Sequence, residues 1–229
     1  MANIAFLGNF RVNFSSESHH ANSLKSLGHR VTKLQEQLNT SQDILKAALA
    51  SDLFIWVHTH GWKTPGNLGM DIVLTELKQK GIPTMTYHLD LWLGLQREKD
   101  LETDPIYKSI GHFFTVDEQM AKWFNKNTLV KGHYIPAGVY DQECYYQATA
   151  KKFDVIFVGS KGYHHEWPYR PKLIEWLTNT YQRRFRHYGG DGLGIMRGEH
   201  LNTLYARTKV VVGDTLCPDF TYPSYWSDR

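Results

Sequence analysis

The sequence predicts an α/β protein built on parallel sheets, and three observations carry that reading. Short apolar runs recur along the chain, each followed by a turn and then by a segment of helical period. Glycine, proline and capping residues punctuate the joins where each type of element should end. The strand–helix alternation also starts afresh at Phe153, which predicts a second unit of the same class. With 229 residues, the chain lies between one large domain and two small ones if a typical domain has roughly 150 residues.

The elements follow in order. Asn3–Leu7 is apolar and leads into Gly8-Asn9-Phe10, a strand and its turn. Ser15 or Ser16 caps a helix in which Ala21, Leu24 and Leu27 recur at helical spacing, and Gly28 ends it. Arg30–Leu34 is the second strand. Thr40 or Ser41 caps a helix bearing Ile44, Leu45, Ala48 and Leu49, and Leu53–Val57 is a buried third strand. Met70–Lys80 reads as a helix with apolar positions at Ile72, Val73 and Leu77 and Gly81 as its stop. Pro83–His88 and His112–Val116 are strands. Asp117 caps a helix with Met120, Ala121, Trp123 and Phe124, and Val130–Ile135 closes the set. Crossovers of this length predict a parallel sheet covered on both faces.

Pro136-Ala137-Gly138 and the polar, aperiodic stretch 141–152 mark a boundary, giving a first domain over 1–150 and a second over 151–229. In the second, Phe153–Val158 is a strand and Pro171–Thr180 a helix with Leu173, Ile174, Trp176 and Leu177 on one side. Arg184–Tyr188 is a strand, His200–Ala206 a short helix and Lys209–Val212 a third strand. A parallel unit this small, with an open edge, is marginal alone and is expected to have a partner surface covering its sheet, as in an oligomer.

Composition weighs against several function classes. Lys plus Arg outnumber Asp plus Glu by only 26 to 23, which falls short of the clustered basic face of a nucleic-acid binder. Cys144 and Cys217 are too few for a disulfide framework and form no CxxC pair. Apolar runs such as Leu53–Val57 fall far short of the roughly 20 residues of a membrane span. The amino terminus carries no basic leader before its first strand. A cytoplasmic protein is the expectation. Aromatics reach 14% and there are 12 His, side chains that suit pockets for sugar rings or bases and also fill cores.

Candidate chemistry clusters after the strands, at the edge where open α/β sheets bind ligands. Gly8-Asn9-Phe10 lacks the GxGxxG spacing and is either a plain turn or a ligand loop. In His58-Thr59-His60-Gly61-Trp62, alternate histidines point the same way. A cleft contact, a structural loop and a metal site all fit; no HExxH and no third ligand at a telling distance support the last. His88-Leu89-Asp90 pairs an imidazole with a carboxylate, which suits a general base and its support, or else a loop histidine and a helix cap. In the second unit, Gly159-Ser160-Lys161-Gly162 follows a buried strand, with Arg170 at the next helix start. Backbone amides, two cations and a helix amino terminus suit a diphosphate. The spacing does not match GxxxxGK[ST], which speaks against a simple P-loop NTPase. Gly189-Gly190, Arg197-Gly198 and Gly213-Asp214 add to the same rim. Solvated surface loops are the alternative reading.

The segments FDVIFVGSKGYHHEWPYRPKLIEWL, RFRHYGG, MRGEHLNTLYARTKVVVGDT and YPSYWSDR, with HLDLWLGLQRE, FFTVDE and YIPAGV before them, resemble the CgeB-like glycosyltransferases of GT-B architecture. The resemblance covers the chain from about residue 50 onward. It implies two Rossmann-like domains, an acceptor-side domain and then a donor domain that in the family continues past the YWSDR-like segment, so that here the second is truncated. It also implies transfer of a sugar from a nucleotide-sugar donor in a cleft between domains, without a bound metal or further cofactor. Gly159, Ser160, Lys161, Arg170 and Arg197 would face the donor diphosphate. Asp90, His88 or His60 would serve the acceptor hydroxyl. The acceptor stays open among glycan, small molecule, protein and modified DNA base. The competing reading is a non-catalytic relative acting as a binding or assembly module.

Overall fold

The computed structural model describes residues 1–59, 61–89, 101, 103–136, 138–162 and 169–214. The chain divides into two units, Met1–Ala137 and Gly138–Arg229. The strands of the first are β1 (Asn3–Gly8), β2 (Arg30–Gln35), β3 (Leu53–Trp56), β4 (Thr84–His88), β5 (His112–Thr115) and β6 (Lys131–Tyr134). They form one parallel sheet of order β2-β1-β3-β4-β5-β6. The connections carry α1 (Ser16–Ser26), α2 (Ser41–Leu49), α3 (Met70–Gln79), α4 (Pro105–Ser109) and α5 (Glu118–Asn127).

Side-chain alternation in the central strands assigns the two faces. Ala5, Leu7, Phe54 and Trp56 join Ile44, Val73, Leu77, Ile106 and Phe124 in one core, so α2 to α5 cover this face. Ile4, Phe6 and Ile55 point the other way, onto Ala21 and Leu24 of α1. Coverage is therefore unequal. Among the described residues, α1 is the helix on the second face. Over β4, β5 and β6 that face carries half-buried rings in mutual contact: Tyr87 with Phe114 at 5.8 Å and Phe114 with His133 at 4.6 Å.

The caps sit where the sequence places them. Ser15 accepts from the Ser18 amide, Asp117 from Met120, and Thr40 forms a reciprocal capping box with Asp43. Three details differ from expectation. Ile72 is exposed, because α3 turns Met70, Val73, Leu74 and Leu77 inward. Trp176 is likewise exposed, resting edge-on against Tyr181 at 6.1 Å. Helix α4 is unforeseen, although Asp104 as N-cap followed by Pro105 is a recognised start signal.

The second unit has β7 (Phe153–Val158), β8 (Phe185–Tyr188) and β9 (Thr208–Val212) in order β8-β7-β9, all parallel. Helix α6 (Arg170–Tyr181) packs Ile174 and Leu177 on Val155 and Phe157. Helix α7 (Gly198–Ala206) packs Leu204 on Ile156 and Tyr188, on the other face. The aperiodic stretch after Gly138 lies on this unit: the Tyr145 amide donates to Asn202 Oδ1 of α7 at 3.2 Å, and Lys151 Nζ to the Ala206 carbonyl at 2.7 Å. No helix among the described residues is long and apolar enough to cross a membrane.

Candidate functional site

In both sheets the strand order reverses direction beside the first strand of the unit, between β1 and β3 and between β7 and β9. Loops leaving the carboxyl ends of such strands diverge to opposite faces and open a crevice, the usual ligand position in open α/β sheets. The polar side chains of interest collect at these two rims.

In the first unit the centre is Glu36, which follows β2 and is fully buried. Its amide is held by the Gly8 carbonyl at 3.0 Å, which fixes the residue beside the end of β1. Its carboxylate accepts from Trp56 Nε1 at 3.0 Å and from the Thr59 amide at 2.8 Å, and also pairs with His58 Nδ1. The other imidazole nitrogen, His58 Nε2, lies 3.2 Å from Asp104 Oδ2. With a carboxylate against each nitrogen, only the doubly protonated ring satisfies both contacts. Burial alone would push the His58 pKa down; hydrogen bonds to Asp104 and Glu36, and then their charges, outweigh it and raise it to about 9. His58 is thus an imidazolium at neutral pH. It clamps the end of β3 to the start of α4, since Asp104 Oδ1 also caps that helix through the Ile106 amide at 3.1 Å.

Glu17, in the first turn of α1, shares this rim. Its pKa is raised, mainly by burial, with the Glu36 charge adding to the effect. The Asn9 amide donates to Glu17 Oε1 at 3.4 Å. Gly8 permits the approach: a Cβ there would stand 2.9 Å from Glu17 Cγ. Farther out, the Arg11 guanidinium lies over the Trp62 ring at 5.0 Å and donates to Gln37 Oε1 at 3.2 Å. That stacked pair offers an aromatic and a cationic surface to a ligand.

Of the predicted catalytic residues, His88 is described, and His60 and Asp90 lie outside the described residues. His88 ends β4, half-buried, with its ring stacked on Phe113 at 5.9 Å. No group of three or more metal-ligating side chains forms among the described residues.

In the second unit the loops after β7 and β8 are bound to each other. His187 Nε2–H donates to the Gly159 carbonyl at 2.7 Å, and the Lys161 amide to Asp191 Oδ2 at 2.8 Å. A side chain at Gly189 would collide with the Gly159 carbonyl, so glycine is what lets the two loops close on each other. Arg170, predicted at the helix start, is within α6 and buried. Its guanidinium donates from Nη1 to the Ser160 carbonyl and from Nε to Asp214 Oδ2, both at 3.2 Å. Asp214 follows β9, so the pair spans the mouth of the crevice between β7 and β9. Gly159, Ser160, Lys161 and Arg170 therefore come together. Lys161 is exposed, whereas Arg170 already answers a carboxylate. Arg197 is exposed at the N-cap of α7, separate from these contacts, where its charge acts on Tyr205.

Sequence reasoning missed Glu17, Glu36 and Asp104. Nothing in the local sequence marks Glu36 or Glu17, since an acidic side chain is almost never fully buried without partners and those partners are distant in sequence. The signal at Asp104 was the proline after it.

No protein-family model matches the chain, and no curated protein matches it. Among solved structures, the S. aureus MnaA–UDP co-structure is similar over 92% of this chain and 73% of its own, at 9% identity and a TM-score of 0.49. The glycotransferase of kitacinnamycin is similar over 96% of this chain and 72% of its own, at 11% identity and a TM-score of 0.39. Identities this low bear on fold alone, and scores below 0.5 do not decide even that. The α/β class with parallel sheets rests on the chain's own strand pairing.

Proposed function

We propose that this protein is a glycosyltransferase of the CgeB-like, GT-B type, using a nucleotide-diphosphate sugar as donor. The single observation that carries the reading is the second-unit rim, where three strand-end loops converge on Gly159, Ser160, Lys161 and Arg170. The exposed Lys161 is the group that meets the leaving diphosphate, with the amino terminus of α6 adding partial positive charge. Arg170 acts as a positioning residue that holds Ser160 and Asp214 on either side of the crevice. In the reaction a base removes the acceptor hydroxyl proton. The acceptor oxygen then bonds to the anomeric carbon as the carbon–oxygen bond to the diphosphate breaks, and that pair of electrons leaves with the diphosphate.

The base comes from the first unit, from His60, His88 or Asp90. His58 is excluded at neutral pH because it already holds both protons. Glu17, with its raised pKa, joins the candidates. Arg197 binds donor at a second point. No metal is required, because Lys161 and the α6 terminus stabilise the charge that a divalent cation would otherwise answer.

The test is release of nucleoside diphosphate by the purified chain from a panel of UDP-, GDP-, ADP-, CDP- and dTDP-sugars. Release from one member, lowered more than about tenfold by Lys161→Ala, is expected for a leaving-group contact. Binding without release from any member favours the non-catalytic reading instead. Equal release by the wild type and Lys161→Ala removes the donor-site assignment.

A further inference from the structure

The opposite edge of the first sheet, at the amino ends of β4, β5 and β6, holds a cavity of about 450 Å³. Its walls come from the ends of α3 and α4 and the strand starts that follow them. Lys78, Lys108 and Lys131 line it together with His112, and no acidic residue is among the lining residues. All three lysines are exposed, and none forms an ion pair among the described residues. The His112 pKa is lowered, first by burial and then by the His133 and Lys131 charges, which fits a locally positive field.

Lysines at helix carboxyl ends have an ordinary explanation, since each end carries roughly half a negative charge. That explanation does not cover this cavity. Lys78 and Lys108 lie in the last turns of α3 and α4, whereas Lys131 belongs to β6, four residues past the end of α5. Counting the α5 end as well, three ends cancel at most about one and a half of the three positive charges, and the five residues of α4 supply less than a full dipole. More than one positive charge remains over a recess lined by Thr84 and Gly111, which are joined by a 2.8 Å hydrogen bond from the Gly111 amide to Thr84 Oγ1. Leu74, Ile82, Ile110 and Leu129 add apolar wall. Concave shape, apolar lining and a few convergent charges are the marks of a small-molecule site, and this volume lies within the usual range.

We infer that this cavity binds a soluble organic phosphate, the phosphate meeting Lys108 and Lys131 and the organic body lying on the apolar wall. The site is separate from both strand-end rims and does not depend on the proposed transferase activity.

Amide NMR on the full chain, titrated with phenyl phosphate and with inorganic phosphate against sodium chloride of equal ionic strength, tests it. Phenyl phosphate should shift the Gly81, Ser109 and Gly111 amides saturably and more tightly than inorganic phosphate. Lys108→Gln with Lys131→Gln should weaken that binding at least about fivefold, roughly what two partly exposed charge contacts carry, while the spectrum stays dispersed and the Gly159 and Gly189 amides are unaffected. Shifts reproduced by sodium chloride, affinity unchanged in the double variant, or no gain from the phenyl ring would each overturn the assignment. Loss of donor binding at Lys161 leaves this result untouched.

Discussion

The two strand-end rims solve the same topological problem with opposite chemistry. The first buries a carboxylate and arranges donors around it: Trp56, Thr59 and a protonated His58 all serve Glu36. The second buries a guanidinium and ties backbone to backbone, through Arg170, His187 and Asp191. In the first rim the buried anion is already answered by its three donors. A rim that holds its own carbonyls back, and leaves Lys161 exposed, is prepared to receive an anion. That difference is why the donor is proposed for the second unit.

The largest expected effect breaks the first rim. Glu36→Ala removes one of the two carboxylates paired with His58 and leaves the Trp56 and Thr59 donors unpaired, and should cost about 2–4 kcal/mol of stability by urea unfolding. A loss below 1 kcal/mol would mean that the cluster is solvated and organises nothing. Next comes pH. The folded pKa of His58 is raised to about 9 from an ordinary 6.5. Its contribution is therefore fully present below about pH 6.5 and is lost as pH rises through 9, a decline of up to about 3 kcal/mol. His58→Gln should flatten that slope between pH 6.5 and 9, and an unchanged slope would place the decline elsewhere.

The second rim should respond more mildly in stability and more sharply in binding. Gly189→Ala forces the β7 and β8 loops apart and should cost about 1–3 kcal/mol, as overpacking does. It should also abolish nucleotide binding, whereas Glu36→Gln, if folded, should leave it intact. Binding retained in Gly189→Ala would separate the site from loop closure. Lys161→Ala should leave the melting temperature within about 2 °C, since surface substitutions stay within about 0.5 kcal/mol.

The strands were legible because buried parallel strands read as unbroken apolar runs, and Phe54–Trp56 and Val155–Phe157 are such runs. Caps were legible because their side chains act locally: Ser15, Thr40 and Asp117 each bind an amide three residues on. Ile72 and Trp176 were misplaced because each sits next to a buried helix position, and one residue along a helix is a rotation of about 100°. Glu36, His58 and Asp104 come from three separate loops spanning 68 positions. Only the folded sheet brings them together, so spacing carries no trace of them. The second rim was easier to see, since Gly159, Ser160, Lys161 and Arg170 follow one strand.

On the proposed reading, the second-unit rim holds a nucleoside diphosphate. Calorimetric titration of the wild type and Lys161→Ala with UDP, GDP, ADP, CDP and dTDP tests it most directly. One nucleotide binding the wild type, and binding Lys161→Ala at least about tenfold more weakly, a change of 1.4 kcal/mol, is the predicted result. No heat with any of the five, or equal affinity in the two proteins, would contradict it.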